Sequence, residues 1–172
     1  AGRVIHTPRS LRGMVTAPHH LASQAGLDVL KDGGTAVEAA VAVAAALAVV
    51  YPHMTGIGGD GFWLIAEPDG RMHAIDACGG AAEAATLARY EGLSAIPWRG
   101  PLAANTVAGT VSGWEAALDS DTGTLPLSRL LRDAIHHAEA GIVVTKGGAE
   151  IASAKGPELR DLPGAFAAIF EA

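Results

Sequence analysis

An α+β fold is predicted for this chain by the order of its patterns: a pair of helical segments, one β-hairpin, then mostly helices, with no internal repeat. Three stretches carry that reading. Ala36 to Tyr51 (AVEAAVAVAAALAVVY) is apolar nearly all round, as a helix buried on more than one side is. His53 to Asp76 (HMTGIGGDGFWLIAEPDGRMHAID) leads from a glycine-rich loop into an apolar run, turns at Pro68-Asp69-Gly70 and returns through Met72, Ala74 and Ile75, which is a hairpin signal. Leu127, Leu130, Leu131, Ala134, Ile135 and Ala138 follow the spacing i, i+3, i+4, i+7, i+8, i+11 of an amphipathic helix.

The remaining elements follow in order. Ala1 to Pro18 shows no helical period and reads as an extended arm with a short strand near Met14 to Ala17. Leu21, Ala25 and Val29 recur every four residues, with Ala22 and Leu30 alongside, so Leu21 to Leu30 is a helix that Gly33 and Gly34 stop. Thr35 and Glu38 have capping-box spacing at the start of the alanine-rich helix, and Pro52 ends it. After the hairpin, Cys78 to Ala85 is loop-like, Thr86 to Glu91 a short helix, Ile96 to Ala108 irregular with two prolines, and Thr110 to Leu118 another short helix. Pro126 suits a first helical turn, Gly141 ends the helix that follows, and Ala149 to Ala154 and Glu158 to Phe170 are helical in part.

Bulk properties narrow the function classes. At 172 residues the chain is long enough for one domain, 1–172, with a core. It is 49% hydrophobic but only 5% aromatic, so small side chains and closely packed elements are expected. A net charge of −6 with the basic residues scattered argues against a nucleic-acid or anionic-membrane surface. Cys78 is the single cysteine, which excludes an internal disulfide and a cysteine-based zinc site. The most apolar stretch is shorter than the roughly 20 residues that cross a bilayer and contains Glu38, so it reads as a buried helix. No signal-peptide pattern follows Ala1; the cytoplasm is the expected compartment, with periplasm or secretion as alternatives.

Several chemistries are incomplete. Gly56, Gly58 and Gly61 match G-x-G-x-x-G, but a helix precedes them and a strand follows, the reverse of a dinucleotide-binding unit, so no cofactor is expected. His136 and His137 are adjacent on a polar helix face, His19 and His20 are adjacent at a helix start, and no i, i+4 histidine pair exists, so no metal is expected. No serine sits in G-x-S-x-G. Cys78 near His73 does not define a catalytic pair, and Ala1 excludes an N-terminal Thr, Ser or Cys nucleophile on this chain. The loop of His53, Gly56, Gly58, Gly59 and Gly61 is read as a packing corner or a wall of a site, because glycine is used where φ is positive or another chain or ligand comes close.

Taken together, HHLASQAGLDVLKDGGTAVEAAVAVAAALAVVYPH, MTGIGGDGFWLI, the Asp-Gly turn, ANTVAGTVSGW and LPLSRLLRDAIHHAEAGIVVT resemble the large, N-terminal chain of the γ-glutamyltranspeptidase family, collinearly from about Gly13 to Phe170. The resemblance implies an αββα sandwich of the N-terminal nucleophile hydrolase class, of which this sequence is the first half of the large chain. It implies a self-cleaving precursor whose small chain begins with a threonine that is nucleophile and, through its amine, base. No catalytic residue then lies in this chain, and the implied partners are that small chain, a small amide substrate and a dimer of heterodimers; the alternative is a non-catalytic relative that binds a ligand or serves as a packing subunit. By the same resemblance Asp76, Cys78, Gly79 and Gly80 line the acyl pocket, Asn105 and Thr106 approach it, and the glycine loop is scaffold. The chain departs from the family where γ-glutamyl enzymes usually have Asp-Gly-Arg-Glu: here stands Asp76-Ala77-Cys78-Gly79, with no cation at position 78 and no Arg before Arg89. An Arg–carboxylate fork is a strong, orienting contact that Cys cannot replace. Arg99 or the partner chain would have to supply the charge for true γ-glutamyl recognition. The GDGFW form of the loop is closer to that of oxamate amidohydrolases than of cephalosporin acylases.

Overall fold

The computed structural model describes residues 7–160. They group into two compact units, one of residues 7–50 with 118–142, the other of residues 51–117 with 143–160.

The first unit is helical. Helix α1, His20–Lys31, is capped by His19, whose ring nitrogen accepts from the Leu21 N–H. It ends at Asp32, and Gly33 leaves it at φ 89°, a conformation that costs glycine little. Helix α2, Ala36–Val50, starts on the expected capping box: the Thr35 N–H donates to Glu38 Oε2 (2.8 Å) and the Glu38 N–H to Thr35 Oγ1 (3.1 Å). A Cβ on Gly26 would stand 2.6 Å from Val43 Cγ2, so this glycine lets α1 and α2 close on one another. Ala22, Val29, Val41, Ala42 and Ala46 are fully covered there, and each buried valine contributes roughly 1.5–3 kcal/mol. Glu38, 1% exposed, also accepts from the Leu125 N–H (2.7 Å), while Thr35 Oγ1 donates to Asp121 Oδ2, so two carboxylates tie the helix start to the 121–125 loop.

Two expectations for this unit are corrected. Residues 14–17 form no strand, because no described segment pairs with them. The amphipathic helix predicted from Leu127 to Ala138 is two pieces, α4 (Leu127–Leu130) and α5 (Arg132–Ala140), and Pro126 is the N-cap rather than a first-turn residue. Leu131, at ψ −8°, separates them, although its N–H still donates to the Leu127 carbonyl (2.9 Å) and its own carbonyl accepts from the Ile135 N–H (2.9 Å). Leu130 and Ala134 are buried as the stripe requires, but Leu127 and Ile135 are exposed.

In the second unit, β1 (Gly61–Ala66) and β2 (Met72–Ala77) pair antiparallel from Gly61↔Ala77 to Ala66↔Met72. Gly70 closes the turn at φ 88°, its N–H bonded to the Glu67 carbonyl. Although β1 is an apolar run, burial alternates along it: Trp63 and Ile65 are half-buried, Phe62 and Leu64 exposed. A 3₁₀ turn spans Leu87–Tyr90, and α3 spans Thr110–Asp119. Helix α6, Lys146–Leu159, is one element across the gap that separated the two expected helical parts, with Pro157 inside it; residues 161–170 of the second part lie outside the described residues. Mixed helix and hairpin make the chain α+β.

Candidate functional site

Strand β2 delivers the chain to the candidate site. Past buried Ala77, residues 78–82 run beside residues 105–109: the Val107 N–H donates to the Gly80 carbonyl, the Ala82 N–H to the Asn105 carbonyl (both 2.9 Å), and Ala81 bridges Thr106. The approach is backbone on backbone. A Cβ on Gly79, which has φ 70°, would be driven into the Val107 carbonyl, and one on Gly109 into the Ala77 carbonyl. The glycine loop is tied to the same place, since the Gly59 carbonyl accepts from the N–H groups of Gly109 (3.0 Å) and Thr110 (2.9 Å) and from Thr110 Oγ1 (2.7 Å). Gly113 lets α3 lie against Ala77 and Trp63 on the inner side of the hairpin.

These contacts leave a cleft of about 400 Å³ lined by Asp76, Gly79, Gly80, Val107, Ala108, Gly109, Ser112 and Gly113, with Ile75, Ala77 and Ala116. Asp76 is its charged group. Its Oδ1 accepts from the Cys78 N–H (3.1 Å), and hydrogen bonds from the Cys78 thiol and N–H hold its carboxyl below the usual carboxylate range. The same bond to Asp76, then burial and the charges of Asp76 and Asp60, push the thiol up. Cys78 is therefore a neutral donor to Asp76 and a poor nucleophile. Ser112 Oγ donates to the Gly109 carbonyl (2.8 Å), and no imidazole lines the cleft to activate it.

Of the residues singled out from the sequence, Asp76, Gly79 and Gly80 meet in the cleft. Cys78 stands behind Asp76, and Asn105 and Thr106 act through the ribbon backbone. His53 packs against Tyr51 (4.3 Å between ring centroids) and near Gly148 at the start of α6, away from the cleft. Gly56, Gly58 and Gly59 have no neighbour where a Cβ would stand and none has a positive φ, so within this unit they are no packing corner; Gly61, 3.3 Å from Thr110 Cα, is. Sequence reasoning missed the 107–113 wall. Its signal was the spacing of Gly109 and Gly113, which places two side-chain-free positions on one face of a helix start.

Comparison with known proteins decides the family. The γ-glutamyltranspeptidase family model matches residues 22–172. The chain belongs to the γ-glutamyltranspeptidase family. It is similar to the oxamate amidohydrolase proenzyme of Klebsiella pneumoniae, 58% identical over 159 residues that cover 90% of this chain and 30% of that protein. To the glutathione hydrolase proenzyme of Escherichia coli it is 38% identical, covering 91% of this chain and 27% of that protein. The crystal structure of Helicobacter pylori γ-glutamyltranspeptidase superposes at a TM-score of 0.79 with 34% identity, over 92% of this chain and 46% of that one. The chain thus spans less than a third of the curated relatives, and family resemblance and fold agree with the α+β reading.

Proposed function

We propose that this chain is part of the large chain of an amidohydrolase that cleaves a small amide, of the kind named in its oxamate amidohydrolase relative, by attack of a threonine on a separate small chain of the same precursor. One observation carries this reading: the cleft supplies walls, a carboxylate and backbone groups but no activated nucleophile, and no cationic side chain lines it. The first half points to a nucleophile from elsewhere in the precursor, in line with relatives that are proenzymes. The second half speaks against γ-glutamyl selection at position 78, since an α-carboxylate beside Asp76 and Asp60 would meet two anions and no partner.

In this reading Asp76 and Cys78 shape the acyl end of the cleft, and the backbone groups of the 107–109 ribbon border the reacting amide. The small-chain threonine attacks the carbonyl, its own amine takes the hydroxyl proton, and backbone N–H groups hold the oxyanion until the amine product leaves and water releases the acyl group. A dimer of such heterodimers is the assembly that accompanies it. Intact mass spectrometry of the full-length product, before and after incubation, tests the reading. Two fragments, the smaller beginning with Thr, with oxamate-type amides hydrolysed in preference to γ-glutamyl anilides, are expected. A single uncleaved chain overturns catalysis. Preference for the anilide overturns the substrate class and restores γ-glutamyl transfer.

A further inference from the structure

Asp76 has acceptor capacity to spare. A carboxylate offers about four acceptor sites, and among the described residues the donors to this one are the N–H and the thiol of Cys78. The side chain stands exposed near the end of β2, and no cationic side chain lines the cleft beside it. Neighbouring acceptors are already engaged: the Gly80 carbonyl by the Val107 N–H, the Gly109 carbonyl by the Gly113 N–H and Ser112 Oγ. Once a substrate displaces water from the cleft, the open sites of Asp76 either receive a donor or cost the desolvation of a charge.

A small amide of the oxamate kind brings three polar groups. Its carboxylate is repelled by Asp76 and Asp60, and its carbonyl oxygen is itself an acceptor, which leaves the N–H. The amide hydrogen trans to the carbonyl oxygen points to the side of the acyl group, the end of the cleft that Asp76 shapes. We propose that Asp76 is a specificity residue that accepts a hydrogen bond from the reacting amide N–H, so that the site favours amides over esters and turns the substrate's carboxylate away from this chain. The proposal rests on the amidohydrolase reading. Asp76 holds a proton's position and transfers none, because a carboxyl below its ordinary range is a poor acid. When the threonine oxygen adds to the carbonyl carbon, the planar nitrogen becomes pyramidal, and an acceptor on its hydrogen aims the lone pair at the proton that the small-chain amine took from the hydroxyl. That proton passes to the nitrogen, the C–N bond breaks and ammonia leaves. An ester has no hydrogen there and gains nothing from Asp76.

The test compares oxamate with monomethyl oxalate, which has O–CH3 in place of NH2, on the purified, self-cleaved full-length protein. The ratio of kcat/KM for amide to that for ester is measured in the wild type, Asp76→Ala and Asp76→Asn. Asp76→Ala is expected to lower the ratio about tenfold or more, as the loss of a hydrogen bond to a charged group does. Asp76→Asn keeps an acceptor oxygen for the Cys78 N–H but loses the charge, and is expected to lower the ratio about threefold, a result that suffices if the alanine variant does not cleave itself. Amide and ester lowered equally overturn the proposal, since a structural residue moves both. A raised ratio overturns it by placing Asp76 against the carboxylate. Either result leaves the amidohydrolase reading standing, because hydrolysis was observed. A wild type that turns over neither compound overturns that reading, and the proposal with it.

Discussion

The two compact units solve the packing problem in opposite ways. The helical unit buries valines and alanines between α1 and α2 and spends one buried carboxylate, Glu38, on holding a loop. The hairpin unit covers little apolar area of its own; Ala77, Trp114 and Ala117 are its buried apolar residues among those described, and its ribbon is built from glycine-permitted contacts between carbonyls and Cα atoms. Side-chain burial makes a unit stable, and backbone proximity makes a site: polar groups left without side-chain cover are the ones that can meet a substrate.

Five substitutions or conditions sharpen that contrast. Gly109→Ala forces the ribbon from the Ala77 carbonyl and is expected to cost more than about 3 kcal/mol by urea unfolding of the full-length protein. If it were tolerated, the backbone account of the hairpin unit would break. Glu38→Ala leaves the Thr35 and Leu125 N–H groups without their acceptor and is expected to cost about 2–4 kcal/mol, whereas Glu38→Gln keeps one acceptor oxygen and loses about 1–2.

Acid should find the helical unit first. Burial, then His20 and His137, hold the His19 imidazole below its ordinary value of 6.5, so the folded state binds fewer protons there than the unfolded chain. The stability this residue contributes is present above pH 6.5 and falls as pH drops below it, a slope that His19→Asn, which caps without titrating, removes from urea midpoints measured between pH 7.5 and 5.5. In the hairpin unit, Cys78 should alkylate slowly at pH 8, and Asp76→Asn, by removing the main cause of its raised value, should speed iodoacetamide labelling. The smallest stability effect is expected at Gly58→Ala, within about 0.5 kcal/mol, since nothing stands where its Cβ would go. A fall in self-cleavage or kcat/KM in that stable variant would show that the loop faces substrate or the partner chain.

Much of the fold was legible because its signals are local. The capping box at Thr35 and Glu38, the glycine stop at Gly33 and the Pro-Asp-Gly turn each involve groups a few residues apart, and all three formed. The split at Leu131 was not legible, since the heptad-like stripe continues through it and only the backbone there departs. The candidate site was half legible: Asp76, Gly79 and Gly80 stood out through the family motif, but their facing wall, Val107 to Gly113, lies about thirty residues away, and the spacing of Gly109 and Gly113 marks a bare helix face without saying what lies against it.

By itself the sequence determined the first helix pair, the hairpin, the family and the absence of a cation at position 78, because composition, short-range hydrogen bonding and motif identity are carried by neighbouring residues. Tertiary structure alone decided that Cys78 is tethered to Asp76, that Gly79 and Gly109 are obligatory while Gly56, Gly58 and Gly59 meet no neighbour within their unit, and that Phe62, Leu64 and Met72 are left uncovered. Those facts depend on which backbone comes within a van der Waals distance of which, and that distance is set by the packing of segments far apart in the chain.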